Sequence, residues 1–164
     1  PPRSTLFPYT TLFRSVRLTH APAKELAELR GRSQKFGPVD VAAGAANPLA
    51  GFEAELMEVR VACDLSADAV VALDLRGVPV RYDAAKQELT IAKHQASWPV
   101  KDGKLGLIII VDRTCVEVFS QDGLLYAPVA AIPDADVRTV SVSVEKGSAK
   151  AVRGEAHALR SAWR

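Results

Sequence analysis

Short runs in which apolar and polar residues alternate occupy most of this 164-residue chain, and they restrict its fold more than any other feature. The run "VVALDLRG" alternates through Val71, Leu73 and Leu75, and "VRTVSVSVEKG" repeats the pattern further along. Successive side chains of a strand point to opposite faces of a sheet, so a period of two predicts strands with one buried face. We predict roughly ten to twelve short strands, which is typical of an all-β fold with two antiparallel sheets packed as a β-sandwich.

Two apolar runs predict strands with particular features. Residues 105–111 are apolar on both faces in their second half, which indicates a central strand. Residues 52–63 also alternate, but their apolar phase slips by one residue between Leu56 and Met57. We interpret the slip as a β-bulge within one strand.

The dipeptide Asp122-Gly123 predicts a hairpin with a two-residue turn. Closing the hairpin at this point places Val opposite Val and an aromatic residue opposite an aromatic residue. The predicted cross-strand pairs are Gln121 with Leu124, Phe119 with Tyr126, Val118 with Ala127, and Val116 with Val129.

Helical signals are concentrated in "PAKELAELRG". Leu26 and Leu29 are three residues apart, Pro22 stands at a first helical position and Gly31 follows the end, so we predict one or two helical turns. Residues 16–19, which precede this segment, are predicted as a short strand.

Residues 1–15 are set aside from the fold prediction. "RSTLFPYTTLFRS" repeats Thr-Leu-Phe and resembles the translation of a sequencing adaptor, although an edge strand interrupted by Pro8 is the alternative. The net charge of +2 comes from Arg3 and Arg14, so residues 16–164, our predicted domain, carry 19 basic and 19 acidic side chains. This balance favours neither a nucleic-acid partner nor an anionic membrane partner.

The cysteines and histidines indicate no metal or cofactor site. Cys63 and Cys115 each lie in an apolar, alternating stretch, which predicts buried free thiols, with a bridge between them as the alternative. His20, His94 and His157 lack the spacing of metal ligands.

Five blocks occur in order along the chain and carry a family resemblance. They are "LAELRG", "NPLAGFEAELMEV", "LDLRGVPVRYDAAKQELT", "SWPVKDGKLGLIIIVDRTCVEVFSQDG" and "HALRSAW". Together they resemble the C-terminal module of glycoside hydrolase family 32, the family of levanases, inulinases and invertases. The most specific block contains residues for which we predict structural roles: Asp112, Arg113, Glu117, Phe119 and Gly123.

The resemblance implies a concanavalin-like, jelly-roll β-sandwich that packs behind an N-terminal five-bladed β-propeller. In the family the propeller holds an Asp nucleophile and a Glu acid/base in Asn-Asp-Pro, Arg-Asp-Pro and Glu-Cys motifs, and none of these occurs here. We therefore predict no catalytic residue, and an accessory domain of an enzyme that hydrolyses fructan or sucrose. Leu26 and Leu29 are predicted to contribute to the face toward the propeller. The module forms dimers in some relatives, which leaves a homodimer open.

Two alternatives remain. In the first, Trp98, Tyr82 and Tyr126 form a sugar-stacking surface of an autonomous carbohydrate-binding module. In the second, Glu53 and Glu55 act as the carboxylate pair of a small glucanase, since a retaining pair needs a separation of about 5–5.5 Å. The simpler interpretation of these glutamates, and of Glu58 after the phase slip, is the solvated face of a strand.

The adjacent acid and base of "VDRTCVEVF" also have a structural interpretation. Asp112 is predicted to cap a turn, and Arg113 to form a partly buried ion pair or to cover apolar surface with its stem.

Overall fold

The computed structural model describes residues 17–162, within which eleven strands form two antiparallel sheets packed as the predicted β-sandwich. Residues 1–15, which were set aside, and Val16 lie outside the described part of the chain. Residues 17–19 form no regular element, so the strand predicted for them is wrong. The chain there lies against the loop at residues 121–125 instead, where the backbone N–H of His20 donates to the carbonyl of Gly123 at 2.9 Å.

Almost all elements within residues 17–162 are strands. In chain order they are a 3-10 helix (Lys24–Leu29), β1 (Arg30–Ala42), β2 (Met57–Leu65), β3 (Val70–Leu75), β4 (Val78–Asp83), β5 (Glu88–Ile91), β6 (His94–Ser97), a short 3-10 turn (Lys101–Gly103), β7 (Lys104–Val111), β8 (Cys115–Ser120), β9 (Tyr126–Ala130), β10 (Val140–Lys146) and β11 (Ser148–Leu159). The first sheet has the order β1-β11-β2-β7-β8-β9, and the second has the order β10-β3-β4-β5-β6. No helix within residues 17–162 is long and apolar enough to cross a membrane.

The core lies between the two sheets. Val59, Val61 and Ile109 of the six-stranded sheet and Leu73 and Val80 of the five-stranded sheet are each at most 2% exposed. Burying a side chain of this kind contributes about 1.5–3 kcal/mol relative to leaving it in water. The residues that alternate with them point outward, and those of the six-stranded sheet build the site described below.

The central strand and the hairpin register were predicted correctly. β7 lies between β2 and β8, and Phe119 pairs with Tyr126, Val118 with Ala127, and Val116 with Val129. The prediction of a two-residue turn is wrong, because β8 ends at Ser120 and β9 begins only at Tyr126. The backbone N–H of Gln121 donates to the carbonyl of Gly106 at 2.9 Å rather than pairing with Leu124.

The predicted bulged strand over residues 52–63 is also wrong, since β2 begins at Met57. Before that residue the chain bonds to the segment that leads into β10: the N–H of Ala54 donates to the carbonyl of Arg138 at 2.9 Å, and Glu53 forms a single bridge with Thr139. The phase slip therefore marks the start of a strand rather than a bulge.

Of two long strands in the six-stranded sheet, β1 was not predicted and β11 was predicted only as a weak strand. β1 lies at the edge and is mostly exposed, so it has no clear alternation, and Pro38 removes one backbone donor from it. β11, predicted only as a weak strand, lies between β1 and β2 and contains several alanines, which give a weak apolar signal despite burial.

Candidate functional site

The Asp112-Arg113 pair lies in the tight loop between β7 and β8. A carboxylate oxygen of Asp112 accepts a hydrogen bond from the backbone N–H of Arg113 at 2.7 Å, and the N–H of Asp112 donates to the carbonyl of Cys115 at 2.9 Å. Arg113 Nε lies 2.7 Å from Glu55 Oε1, and Arg138 lies 3.6 Å from the other oxygen of Glu55. The loop is thus joined to the segment before β2 by an ion pair at the protein surface.

This ion pair determines what Glu55 can do. The hydrogen bond and the charge of Arg113 lower the pKa of Glu55 below its usual 4.5. A general acid of a glycosidase needs the opposite shift, toward neutral pH. Glu53 is exposed, and its backbone carbonyl accepts a hydrogen bond from Arg32 at 2.6 Å. The ion pairs and the lowered pKa of Glu55 therefore do not favour the glucanase alternative.

Glu58 is in a different environment, because it is almost fully buried on the outer face of the six-stranded sheet. Its side chain is 1% exposed, and both oxygens accept hydrogen bonds from Arg30 at 2.7 Å. Arg60 Nε donates a third, at 2.6 Å. Burial disfavours the charged form of Glu58, but the bonds from Arg30 and Arg60 outweigh burial and lower its pKa below 4.5.

The charged network continues across neighbouring strands. Glu155 of β11 lies 3.8 Å from Arg60, 3.4 Å from Lys35 of β1 and 3.3 Å from Nε2 of His157. Nδ1 of His157 shares a 2.7 Å hydrogen bond with Ser33 Oγ. Sequence reasoning missed this network, because β1 was not predicted and Glu58 has the pattern of a solvated position.

Glu117 and Phe119 of the specific block lie on the same outer face, and Gly123 lies in the β8–β9 loop beside the N-terminal segment. Phe119 stacks on Tyr126 with ring centroids 4.7 Å apart, and Tyr126 stacks on His20 at 5.2 Å. The Tyr126 hydroxyl donates to Glu117 at 2.5 Å, which raises the pKa of Tyr126. Gly123 has a φ of +73° and lies directly under residues 19 and 20.

The three aromatic residues proposed as a sugar-stacking surface do not lie together. Tyr82 and Trp98 are 1% and 9% exposed, and they pack edge to face in the core with centroids 5.4 Å apart. Tyr126 instead stacks with Phe119 on the outer face of the six-stranded sheet. That version of the carbohydrate-binding alternative is therefore wrong.

Arg76 is a buried cation that sequence reasoning did not identify. It is 3% exposed, and its guanidinium donates to the carbonyls of Glu55 at 2.7 Å, Val137 at 2.9 Å and Asp134 at 3.0 Å. Arginine suits this task because its donors are held in a rigid fork. Its place before a turn glycine, in "LRG", is the only sequence signal, and that signal is weak.

The two cysteines, Cys63 and Cys115, do not form a disulfide bond with each other. Cys63 is buried and Cys115 is half-buried, and both are free. Burial raises the pKa of Cys63 to about 12, which leaves it protonated and unreactive. Within residues 17–162 no group of three or more His, Cys, Asp or Glu side chains could hold a metal ion.

Comparison with known proteins gives a family match. The model described as "Glycosyl hydrolases family 32 C terminal" matches residues 25–158. A levanase of Bacillus subtilis (strain 168) is 25% identical over 90% of this chain, and a levanase of Bacillus sp. (strain L7) is 35% identical over 43% of it. The chain spans 25% and 8% of the length of these two levanases.

Solved structures share the fold. The exo-inulinase of Aspergillus awamori matches 88% of this chain with a TM-score of 0.73 and 21% identity, over 33% of its own length. Fructan 1-exohydrolase IIa of Cichorium intybus matches 89% of the chain with a TM-score of 0.70 and 11% identity, over 38% of its length.

Proposed function

This chain belongs to the family of C-terminal domains of family 32 glycosyl hydrolases, and from this membership we propose that it is the non-catalytic accessory β-sandwich of an enzyme that hydrolyses fructans or sucrose. The observation that carries the proposal is the family match over residues 25–158. The similarity to levanases supports the substrate class, because levan is a fructan. The partner in this proposal is an N-terminal five-bladed propeller that holds the catalytic carboxylates.

The charge state of the carboxylates supports a role without catalysis. Glu55 is neutralised by Arg113 and Arg138, and Glu58 by Arg30 and Arg60. A retaining glycosidase needs one carboxylate free to attack and one carboxyl group with a raised pKa. Neither glutamate has the second property, since the pKa of each is lowered.

The specific block supports a structural role as well. We propose that Asp112 and Arg113 fix the β7–β8 loop, and that Glu117, Phe119 and Gly123 hold the N-terminal segment against the sheet. The stacked rings of Phe119, Tyr126 and His20 and the close approach of Gly123 to that segment support this role.

We place the contact with the propeller where the chain enters the sandwich. Leu18, Leu124 and Tyr126 are 79%, 45% and 38% exposed, and they surround the point at which His20 bonds to Gly123. Exposed apolar groups that cluster together are typical of an interaction surface. Leu26 and Leu29 are half-buried beside this entry segment, so they contribute at its margin. We propose no homodimer.

The experiment starts from the genomic reading frame upstream of the codon for Val16. We expect it to encode an Asn-Asp-Pro motif and a propeller. That propeller is then produced with and without residues 17–162, and thermal unfolding of both forms is measured. A domain that binds only the folded propeller raises its midpoint by mass action, and covalent linkage increases the effect.

Two substitutions locate the contact. Leu124→Glu is expected to reduce the gain in midpoint, whereas Ile132→Glu, at an 85% exposed position outside this surface, is expected to leave it unchanged. Equal midpoints for the propeller with and without the sandwich would contradict the accessory role.

A further inference from the structure

An apolar groove of about 200 Å³ lies beside the 3-10 helix, at the end of the six-stranded sheet where β7 and β11 end and β2 begins. We refer to it as the leucine groove, because it is lined by Leu26, Leu29, Leu56 and Leu159, together with Ile110 of β7. Its volume is below the roughly 300–1,000 Å³ that is common for small-molecule sites. The size therefore suits one large side chain better than a separate ligand.

The leucine groove has a shielded apolar side and an open one. Ile110 is only 7% exposed, whereas all four leucines are half-buried. Leu26 and Leu29 come from the 3-10 helix, none of whose residues is buried. Four leucines that remain partly in water forgo some of the free energy that full burial would give, so an apolar group that covers them is favoured.

Hydrogen bonds direct the chain past the leucine groove as it leaves β11. The backbone N–H of Arg160 donates to the carbonyl of Leu29 at 2.9 Å, and the guanidinium of Arg160 donates to the carbonyl of Glu28 at 2.6 Å. Both bonds hold the end of β11 against the 3-10 helix. The two residues that follow, Ser161 and Ala162, line the groove.

The next residue in the sequence is a tryptophan, Trp163, which lies outside the described residues. Consecutive Cα atoms are about 3.8 Å apart, so a side chain at position 163 is within reach of the groove that Ala162 lines. Among the side chains, an indole is one of those that bury the most apolar area, and its N–H needs an acceptor when it is buried. A groove with apolar walls and a polar rim meets both requirements.

The polar residues around the leucine groove supply such acceptors. Asp112, Arg113 and Glu117 line it. Arg113 is paired with Glu55 at 2.7 Å, and Asp112 accepts one hydrogen bond from the backbone N–H of Arg113 at 2.7 Å. An ionised carboxylate has two oxygens with about four acceptor sites, so Asp112 and Glu117 can each accept a further donor.

We propose that the indole of Trp163 docks into the leucine groove and closes it. The rings cover Leu26 and Leu29 from the open side, and the indole N–H donates to a carboxylate at the rim. The segment after β11 then holds the 3-10 helix on the sheet, which fastens the segments before β1 and after β11 to each other. This inference goes beyond the proposed function and does not depend on it.

The test is NMR spectroscopy of the whole chain. The sequence has two tryptophans, Trp98 and Trp163, so the Trp163→Phe variant identifies the indole signals of residue 163. We expect nuclear Overhauser effects between this indole and the methyl groups of Leu26 and Leu29. Their absence in the folded chain would overturn the proposal and leave the groove open to a partner protein. In a mixture of differently labelled chains, effects between chains would overturn it too, because a second copy would then supply the indole.

Thermal unfolding measures the effect of the docked side chain on stability. Trp163→Ala is expected to lower the midpoint by about 5 °C or more, because the four leucines lose their apolar cover. Trp163→Phe keeps an aromatic ring and is expected to retain part of this stability. A midpoint that Trp163→Ala leaves unchanged would overturn the proposal.

Variants of the groove test the location. Leu26→Glu places a carboxylate in the apolar wall, so we expect the indole N–H signal of Trp163 to move toward its position in the urea-unfolded chain. Ile132→Glu, at an 85% exposed position outside the groove, is the matched control and is expected to leave the signal in place. Thermal unfolding of each variant verifies folding.

An indole signal of Trp163 that Leu26→Glu and Ile132→Glu affect equally would also overturn the proposal, because the groove would then not be where the indole lies. None of these outcomes bears on the accessory role, which is tested by the stability of the propeller.

Discussion

At the residue scale, Glu58 is the side chain whose surroundings differ most from what a carboxylate prefers. It is 1% exposed, while Arg30 and Arg60 are 27% and 39% exposed and keep contact with water. Breaking a fully buried ion pair costs about 3–5 kcal/mol, and the exposure of the two arginines reduces this cost. We expect Glu58→Gln to lower the free energy of unfolding by about 2 kcal/mol. Urea unfolding measures this, with Glu53→Gln at an exposed position as the control; equal losses in both variants would contradict the account.

The same carboxylate contributes to the pH dependence of stability. Its pKa is lowered in the folded state, so its contribution is present above the usual pKa of 4.5 and is lost as the pH falls through the folded value. We expect the free energy of unfolding to decrease between about pH 6 and about pH 3, and to decrease less in Glu58→Gln than in the parent chain. Urea midpoints at the two pH values measure the difference. An equal loss of the free energy of unfolding in both proteins would show that Glu58 is not the group that titrates.

A substitution at Gly123 tests the contact between the β8–β9 loop and the N-terminal segment. Its φ of +73° disfavours any other residue, and an added Cβ would lie 3.0 Å from the backbone oxygen of His20 and from Cβ of Thr19. Gly51 has a φ of +82° with open space around it, so it is the matched control. We expect Gly51→Ala to cost about 1 kcal/mol and Gly123→Ala about 2 kcal/mol or more. Equal costs in thermal unfolding would mean that the segment moves away without loss.

At the element scale, one buried guanidinium joins three loops. Arg76 connects the β3–β4 turn to the segment before β2 and to the chain before β10. We expect Arg76→Ala to lower the free energy of unfolding by about 3 kcal/mol, since three carbonyls lose their donor. Hydrogen exchange over residues 134–139 is expected to accelerate at the same time. Arg76→Lys is expected to restore only part of the stability, because one ammonium group cannot reach all three carbonyls; full rescue would contradict this explanation.

Which elements were predictable depended on whether one face of the strand is buried. β3, β10 and the β8–β9 register followed from alternation, because Val and Leu at every second position face the core. β1 has an almost entirely exposed pattern and gives no such signal. Before β2 begins at Met57, Ala54 bonds to Arg138, and alternation does not reveal a contact between residues so far apart in sequence.

The side-chain networks were less predictable because their partners lie far apart in the sequence. Arg113 was expected to form an ion pair, but its partner Glu55 lies 58 residues away. Glu58 has the sequence pattern of a solvated position, and its ion pair with Arg30, 28 residues away, forms only in the folded sheet. Trp98 and Tyr82 suggested a sugar platform by residue type alone, whereas the fold places both in the core.

At the scale of the whole molecule, the carboxylates of the sandwich stabilise its structure, and we propose that its apolar entry surface faces a catalytic partner. The central claim that follows is that this chain carries out no glycoside hydrolysis. That claim separates the accessory role from the glucanase alternative based on Glu53 and Glu55.

The most direct measurement is the release of reducing sugar by the purified chain from sucrose, inulin, levan and a β-glucan. The Glu53→Gln and Glu55→Gln variants are assayed beside it. We predict that all three proteins are indistinguishable from a blank on every substrate, because the pKa values of Glu55 and Glu58 are lowered, which is the opposite of what a general acid needs. Turnover that persists through purification and disappears in Glu55→Gln would contradict the account.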